Sequence, residues 1–364
     1  MRWPGHRSRH RLLSWALVAS GLPGWSCRGQ PADSGPAPVV SEARTPQTVP
    51  MSIPVLELRY FPTSDGVTLD PKETTYDYSL QAIRARVQEL SGQLTEALER
   101  GSTYVRDPSR IPSLDYSIQE SREFLSAVPT SAAYRGYPDY FAILNAVDIC
   151  SQVDGRGVRE VWIWMYHTER TVIDESNMAM GRRSRRHWNH GAYGDVSNSL
   201  QRNDMPVCQN TYTTYDYNYS RGLGEALENH GHQIDMVLQF VDRDFYWGRF
   251  VEPYGRSGTI NHCGWAHIPP NGRKDYDWRN TATVASNCSD WHPDGSGQVE
   301  AVSCENWGCR DDSGASFKVW LLQRLPGRDN GLELDGQPLR NWWEFVGDFD
   351  QALATGKRLR TSHR

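Results

Sequence analysis

Glu228 and His232 stand one helical turn apart in the string E-A-L-E-N-H-G-H-Q-I-D. At that spacing two side chains reach the same ion. Two ligands on one turn cannot close a catalytic metal site, so a third must come from another part of the chain. His267 is the first choice and His262 the second, in N-H-C-G-W-A-H-I-P-P-N, just before the rigid turn Pro269-Pro270-Asn271-Gly272. A divalent metal held there would acidify a water molecule, with Glu175 and Glu225 as the nearest catalytic bases. The competing reading of these residues is a solvated acidic helix face. There is no H-E-x-x-H, so a zincin assignment has no support.

A second candidate cation site suits calcium rather than zinc. In D-W-H-P-D-G-S-G, Asp290, Asp294 and Ser296 fall at positions 1, 5 and 7 of an EF-hand-type loop, with Gly295 at the turn. His292 and Ala301 depart from the pattern at positions 3 and 12, and a plain Asp-Gly turn explains the string equally. The chain has 14 Trp, three of them in the first 27 residues and none between 28 and 161. Trp265, Trp278, Trp291 and Trp307 lie in loop-rich sequence, where indole rings can form an exposed platform for sugar rings or serve as core.

These residues need a scaffold, and the hydrophobic periodicity supplies one. Val55 to Phe61 alternates as a half-buried strand, and Val161 to Tyr166 is apolar throughout, as for a central strand covered on both faces. Thr211 to Tyr219 alternates as a third strand. Leu80, Ile83, Val87, Leu90, Leu94 and Leu98 repeat at helical steps over residues 77–100, with Gly101 as the stop. Shorter helices are expected at 117–127, 139–148, 315–325 and 340–353. A long helix is expected over 221–245. At about 100° per residue its core stripe holds Leu227, His230, Ile234, Val237 and Val241. Glu225, Glu228, His232 and Asp235 fall on the opposite stripe, so His232 should be more exposed than His230. The fold class is α/β or α+β: a small mixed sheet flanked by helices, with a loop-rich, disulfide-stapled subdomain at 250–313.

The ends of the chain speak to location. Arg2, Arg7, Arg9 and Arg11 precede the apolar run Leu12 to Leu22, and Gly24-Trp25-Ser26-Cys27 follows. This reads as a signal peptide over residues 1–27, with a lipobox-like end at which Cys27 becomes a lipidated, membrane-anchored N-terminus; cleavage with release is the alternative. Residues 28–50 are a Pro-rich disordered linker, 51–356 a single globular domain and 357–364 a basic tail. The 39 Lys and Arg against 44 Asp and Glu give a net charge of −5. Without the four leader arginines the balance is −9, which excludes general nucleic-acid binding. Six cysteines remain beyond Cys27, an even number that reads as disulfides in an exported chain. No G-x-G-x-x-G, P-loop or G-x-S-x-G is present.

The strings VREVWIWMYHTERTVIDESNMAM, YSRGLGEALENHGHQID, HCGWAHIPPNGRKDYDW and SDWHPDGSG resemble blocks shared by exported bacterial proteins of no assigned activity. The resemblance spans most of residues 53–350 and implies no reaction. It marks Glu175, His232, Asn261, His267 and Asp275 as polar residues to test first. The related strings carry His where this chain has Glu228. The expectation is an extracytoplasmic hydrolase acting on an extracellular or envelope polymer, a polysaccharide or peptide. The alternatives are a non-catalytic carbohydrate- or envelope-polymer-binding domain and a structural lipoprotein.

Overall fold

The computed structural model describes residues 49–187, 196, 198–199, 203–251 and 263–361. The leader, nearly all of the linker, Asn261 and His262 lie outside the described residues. Within them a five-stranded sheet runs in the order β2-β1-β3-β5-β4, with β1 Met51–Tyr60, β2 Leu114–Phe124, β3 Glu160–Met165, β4 Ser176–Ala179 and β5 Tyr212–Asn218. β2, β1, β3 and β5 are parallel, and β4 closes the edge antiparallel to β5. Parallel strands require crossovers, and helices cover both faces.

One face lies under the helices Leu80–Gly101 and Leu223–Phe245, and helix Ala315–Leu322 packs against both of them. The other face meets helix Tyr140–Asn145, whose Tyr140 hydroxyl donates to Asp216 Oδ2 at 2.6 Å. β1 is therefore more enclosed than its alternation implies. Glu57 is fully buried, accepting from the Ser91 hydroxyl, from Trp164 Nε1 at 2.9 Å and from Ser121 Oγ at 2.7 Å, with Arg59 alongside. A buried carboxylate satisfied by this many donors takes the place of the expected solvent face.

Two expectations need correction. Of residues 117–127, expected helical, 117–124 belong to β2, which pairs with β1 over ten positions. The Gln, Glu and Arg of Q-E-S-R-E favour helix locally, but pairing along the sheet edge overrides that weak preference. The closing helix is broken into Glu344–Gly347 and Phe349–Thr355 at Asp348, whose side chain caps the second piece at Gln351 N.

The loop-rich segment is stapled by Cys263–Cys288 and Cys304–Cys309, and Cys150–Cys208 ties the chain before β3 to the chain before β5. Three disulfides mark a chain that folds in an oxidising environment. Among the described residues no helix is long and apolar enough to cross a membrane.

Candidate metal centre

The helix Leu223–Phe245 presents two unlike faces. His230 is fully buried against the sheet, stacked on Tyr215 at 3.8 Å between ring centroids and bonded through Nε2 to the Tyr217 hydroxyl at 2.7 Å. Burial pushes its imidazole pKa down to about 3, so it stays neutral. The opposite stripe, expected in solvent, is covered instead. His232 is only 7% exposed and Asp235 5%. The helical phase is right, but the loop 263–278 and Glu175 lie over that face.

Two features let the loop approach so closely. Gly231 has no side chain where Ala266 packs: a Cβ there would sit 2.9 Å from Ala266 Cβ. Asp235 then accepts from Ala266 N at 3.5 Å and from the Tyr246 hydroxyl. Burial raises the Asp235 pKa to about 6, against the opposing Tyr246 bond and the His232 charge. Gly264 turns the loop at φ +77°, and Trp265 and Ile268 exchange backbone bonds at 3.0 Å. His267 is thereby carried onto the helix.

Glu228, His232 and His267 converge, each offering one ligand atom within 4.8 Å of the others. Glu228 Oε1 lies 3.0 Å from His267 Nε2 and 3.8 Å from His232 Nε2. The two imidazole rings meet edge to face at 4.5 Å. Glu175 approaches from β4, its Oε2 3.6 Å from His232 Nε2 and held by the Asn198 amide. Its backbone is left-handed at φ +69°, uncommon for a non-glycine residue, and this conformation stands at the rim of the cluster. Burial raises the Glu175 pKa, opposed by the charge of His232.

Lys318 completes the charge pattern. It is buried on helix Ala315–Leu322, with Nζ 3.1 Å from Glu228 Oε2 and 4.6 Å over the Trp278 ring. Burial resists ionisation of Glu228, but His232, His267 and Lys318 together hold its pKa well below the usual carboxylate range. Burial lowers the His232 pKa, and neighbouring Glu228, Glu175 and Asp235 more than compensate, so the net shift is upward. Glu228 thus keeps one oxygen on a lysine and turns the other toward two imidazoles. Buried ligand sets have this form, with an outer partner orienting each ligand.

The remaining candidates separate cleanly. Asp275 sits 3.8 Å from His267 Nδ1, on the ring's far side. Glu225 lies one turn before Glu228, with Arg221 Nε 3.5 Å away, and burial pushes its pKa to about 7. Trp265 is partly exposed and stacks near His267 at 4.7 Å. Trp278, Trp291 and Trp307 are 4%, 2% and 8% exposed, with Trp291 and Trp307 donating to the Arg249 and Trp278 carbonyls. These three are core of the stapled lobe and offer no exposed platform, because a small lobe needs large side chains to bury.

The calcium reading fares no better. Asp294 Oδ1 accepts from Ser296 N at 3.0 Å and Oγ at 2.7 Å, an Asx turn with Gly295 at φ +80°. Asp290 pairs with the Arg106 guanidinium at 2.6 Å and accepts from Gln298 N at 2.7 Å. A guanidinium already supplies the positive charge there.

Two residues at the centre carry little sequence signal. Lys318 is the one charged residue in the mostly apolar A-S-F-K-V-W-L-L, a pattern that implies a buried partner without naming it. Tyr276, whose hydroxyl lies 3.3 Å from His267 Nε2, has only its place in D-Y-D-W. No protein-family model, curated protein or solved structure matches this chain.

Proposed function

We propose that the protein is an exported, metal-dependent hydrolase acting on an extracellular or envelope polymer, anchored by a lipidated Cys27. The observation that carries this reading is the meeting of Glu228, His232 and His267 from two separate elements. Around a tetrahedral ion with bonds of about 2.0–2.2 Å, ligand atoms stand roughly 3.4 Å apart. The distances of 3.0 and 3.8 Å from Glu228 to His267 and to His232 bracket that value. Two imidazoles and a carboxylate are a donor set of the type used by catalytic zinc sites.

A bound divalent ion would acidify water and polarise the bond to be cut. Glu175, half-buried beside His232 and with its pKa raised by burial, would be the group placed to take a proton from the attacking water. Lys318 fixes the rotamer of Glu228, and Asp235 fixes the loop that brings His267.

Metal analysis of protein starting at residue 28, with a panel of glycan and peptide substrates, tests the proposal. The expected outcome is about one zinc per chain, lost in His232→Ala, with hydrolysis abolished in Glu175→Gln while the metal is retained. A wild-type protein that binds no stoichiometric divalent metal refutes it.

A further inference from the structure

We infer that the phenol oxygen of Tyr276 is the fourth protein ligand of this centre, giving way when a substrate oxygen enters. The inference rests on the metal-centre reading above and adds a residue to it.

The geometry has three parts. The Tyr276 hydroxyl lies 3.3 Å from His267 Nε2, again close to the edge of a tetrahedral ligand shell. It therefore approaches the ligand set from the loop side, through His267. Glu175 reaches the third ligand, His232, from the sheet side. The cluster is therefore flanked by a carboxylate on one side and a phenol on the other.

The backbone is shaped to place this hydroxyl. Tyr276 has φ +65°, a left-handed backbone that a bulky L-residue rarely adopts. The loop over-determines it. Tyr276 N donates to the His267 carbonyl at 2.9 Å, and Asp277 Oδ2 accepts from Arg273 N at 3.0 Å and Asn280 Nδ2 at 2.9 Å. The ring stands against His267 and Trp278, at 4.7 and 5.8 Å, yet the residue is 54% exposed. A tyrosine this exposed gains little by burial, so packing alone does not account for an unfavourable backbone that directs its oxygen inward. Exposure also leaves the ring free to swing outward.

Coordination would replace the phenol O–H bond by an oxygen–metal bond and release the proton to solvent. Copper(II) reports this directly, because a bound phenolate gives a visible charge-transfer absorption that imidazole and carboxylate ligands do not. Leaderless protein loaded with one equivalent of copper(II) is expected to show the band. Tyr276→Phe should lose it while still binding one copper, and acetohydroxamate, a bidentate metal-binding probe, should bleach it in the wild type. Stoichiometric copper with no band, or a band that persists in Tyr276→Phe, overturns the role of Tyr276 and leaves the three-ligand centre standing. Copper binding undiminished in folded His232→Ala overturns the centre itself.

Discussion

Gly231 lies between the two histidines of the long helix, and replacing it with alanine sets two effects of known sign against each other. In an exposed helix interior, Gly→Ala stabilises by about 1 kcal/mol, because alanine restricts the unfolded chain and suits the helix. Here the new methyl would meet Ala266 Cβ at 2.9 Å. Carbon atoms prefer about 3.5–4.0 Å, so the loop must retreat by roughly 0.6–1 Å. Cys263, three residues earlier, is tied to Cys288, and Asp235 holds Ala266 N, so the retreat is resisted. Overpacking of this kind costs about 1–3 kcal/mol. The net expectation for metal-free Gly231→Ala is a loss of about 0–2 kcal/mol. His267 follows Ala266, so its 3.0 Å approach to Glu228 opens by a comparable amount. Zinc affinity should fall about tenfold or more, and saturating zinc should then stabilise the variant by about 1.4 kcal/mol less than wild type. Urea unfolding with and without zinc reads both numbers. A variant about 1 kcal/mol more stable, with an unchanged zinc increment, would show that the loop does not press on the helix here.

Glu160→Gln should flatten the pH dependence of stability. Glu160 is buried between Trp162 Nε1 at 2.8 Å and the Tyr116 hydroxyl at 3.2 Å, and burial raises its pKa to about 7. A carboxyl whose folded pKa is raised stabilises most below its unfolded pKa and loses that contribution as pH rises through the folded value. Wild type should therefore lose about 3 kcal/mol more than the variant between pH 4.5 and 7, and parallel stability curves would contradict this. Lys318→Met removes the partner of Glu228 Oε2, leaves only the imidazoles on Oε1, and should destabilise the metal-free protein by about 1–3 kcal/mol. Zinc should then raise the variant's melting temperature more than that of wild type, and a variant as stable as wild type without metal would exclude the ion-pair role.

The sequence reveals most where pattern and burial coincide. V-W-I-W-M-Y reads as a covered strand, and all six residues of β3, with Tyr166 after them, are in fact buried. The phase of the 223–245 helix follows from its apolar stripe, and His230 lands on the core side as expected. That periodicity separates the two faces of the helix but cannot say what covers the second one. His232 is enclosed by a loop more than thirty residues away, and such contacts leave no periodic trace. β2 was illegible for a related reason: among the described residues β1 is the only strand paired with it, most of its residues face water, and an exposed strand need not alternate. His267 was within reach because a metal centre demands a third ligand and a neighbouring cysteine and prolines make the loop rigid. Tyr276 was not, since its place beside His267 depends on a backbone angle.

The Cys263–Cys288 link has a consequence for when the protein can work. Cys263 stands four residues before His267, and its partner lies on the far side of the 265–282 loop. While both thiols are reduced, nothing covalent confines that loop, and the ordering entropy of a long polar segment opposes its settling on the helix. The oxygen and nitrogen donors would thus come together only after thiol oxidation, downstream of synthesis. If the proposed centre binds zinc, a chain still inside a reducing compartment would carry all of its ligands and yet be a poor competitor for the metal, and loading would follow export rather than accompany it.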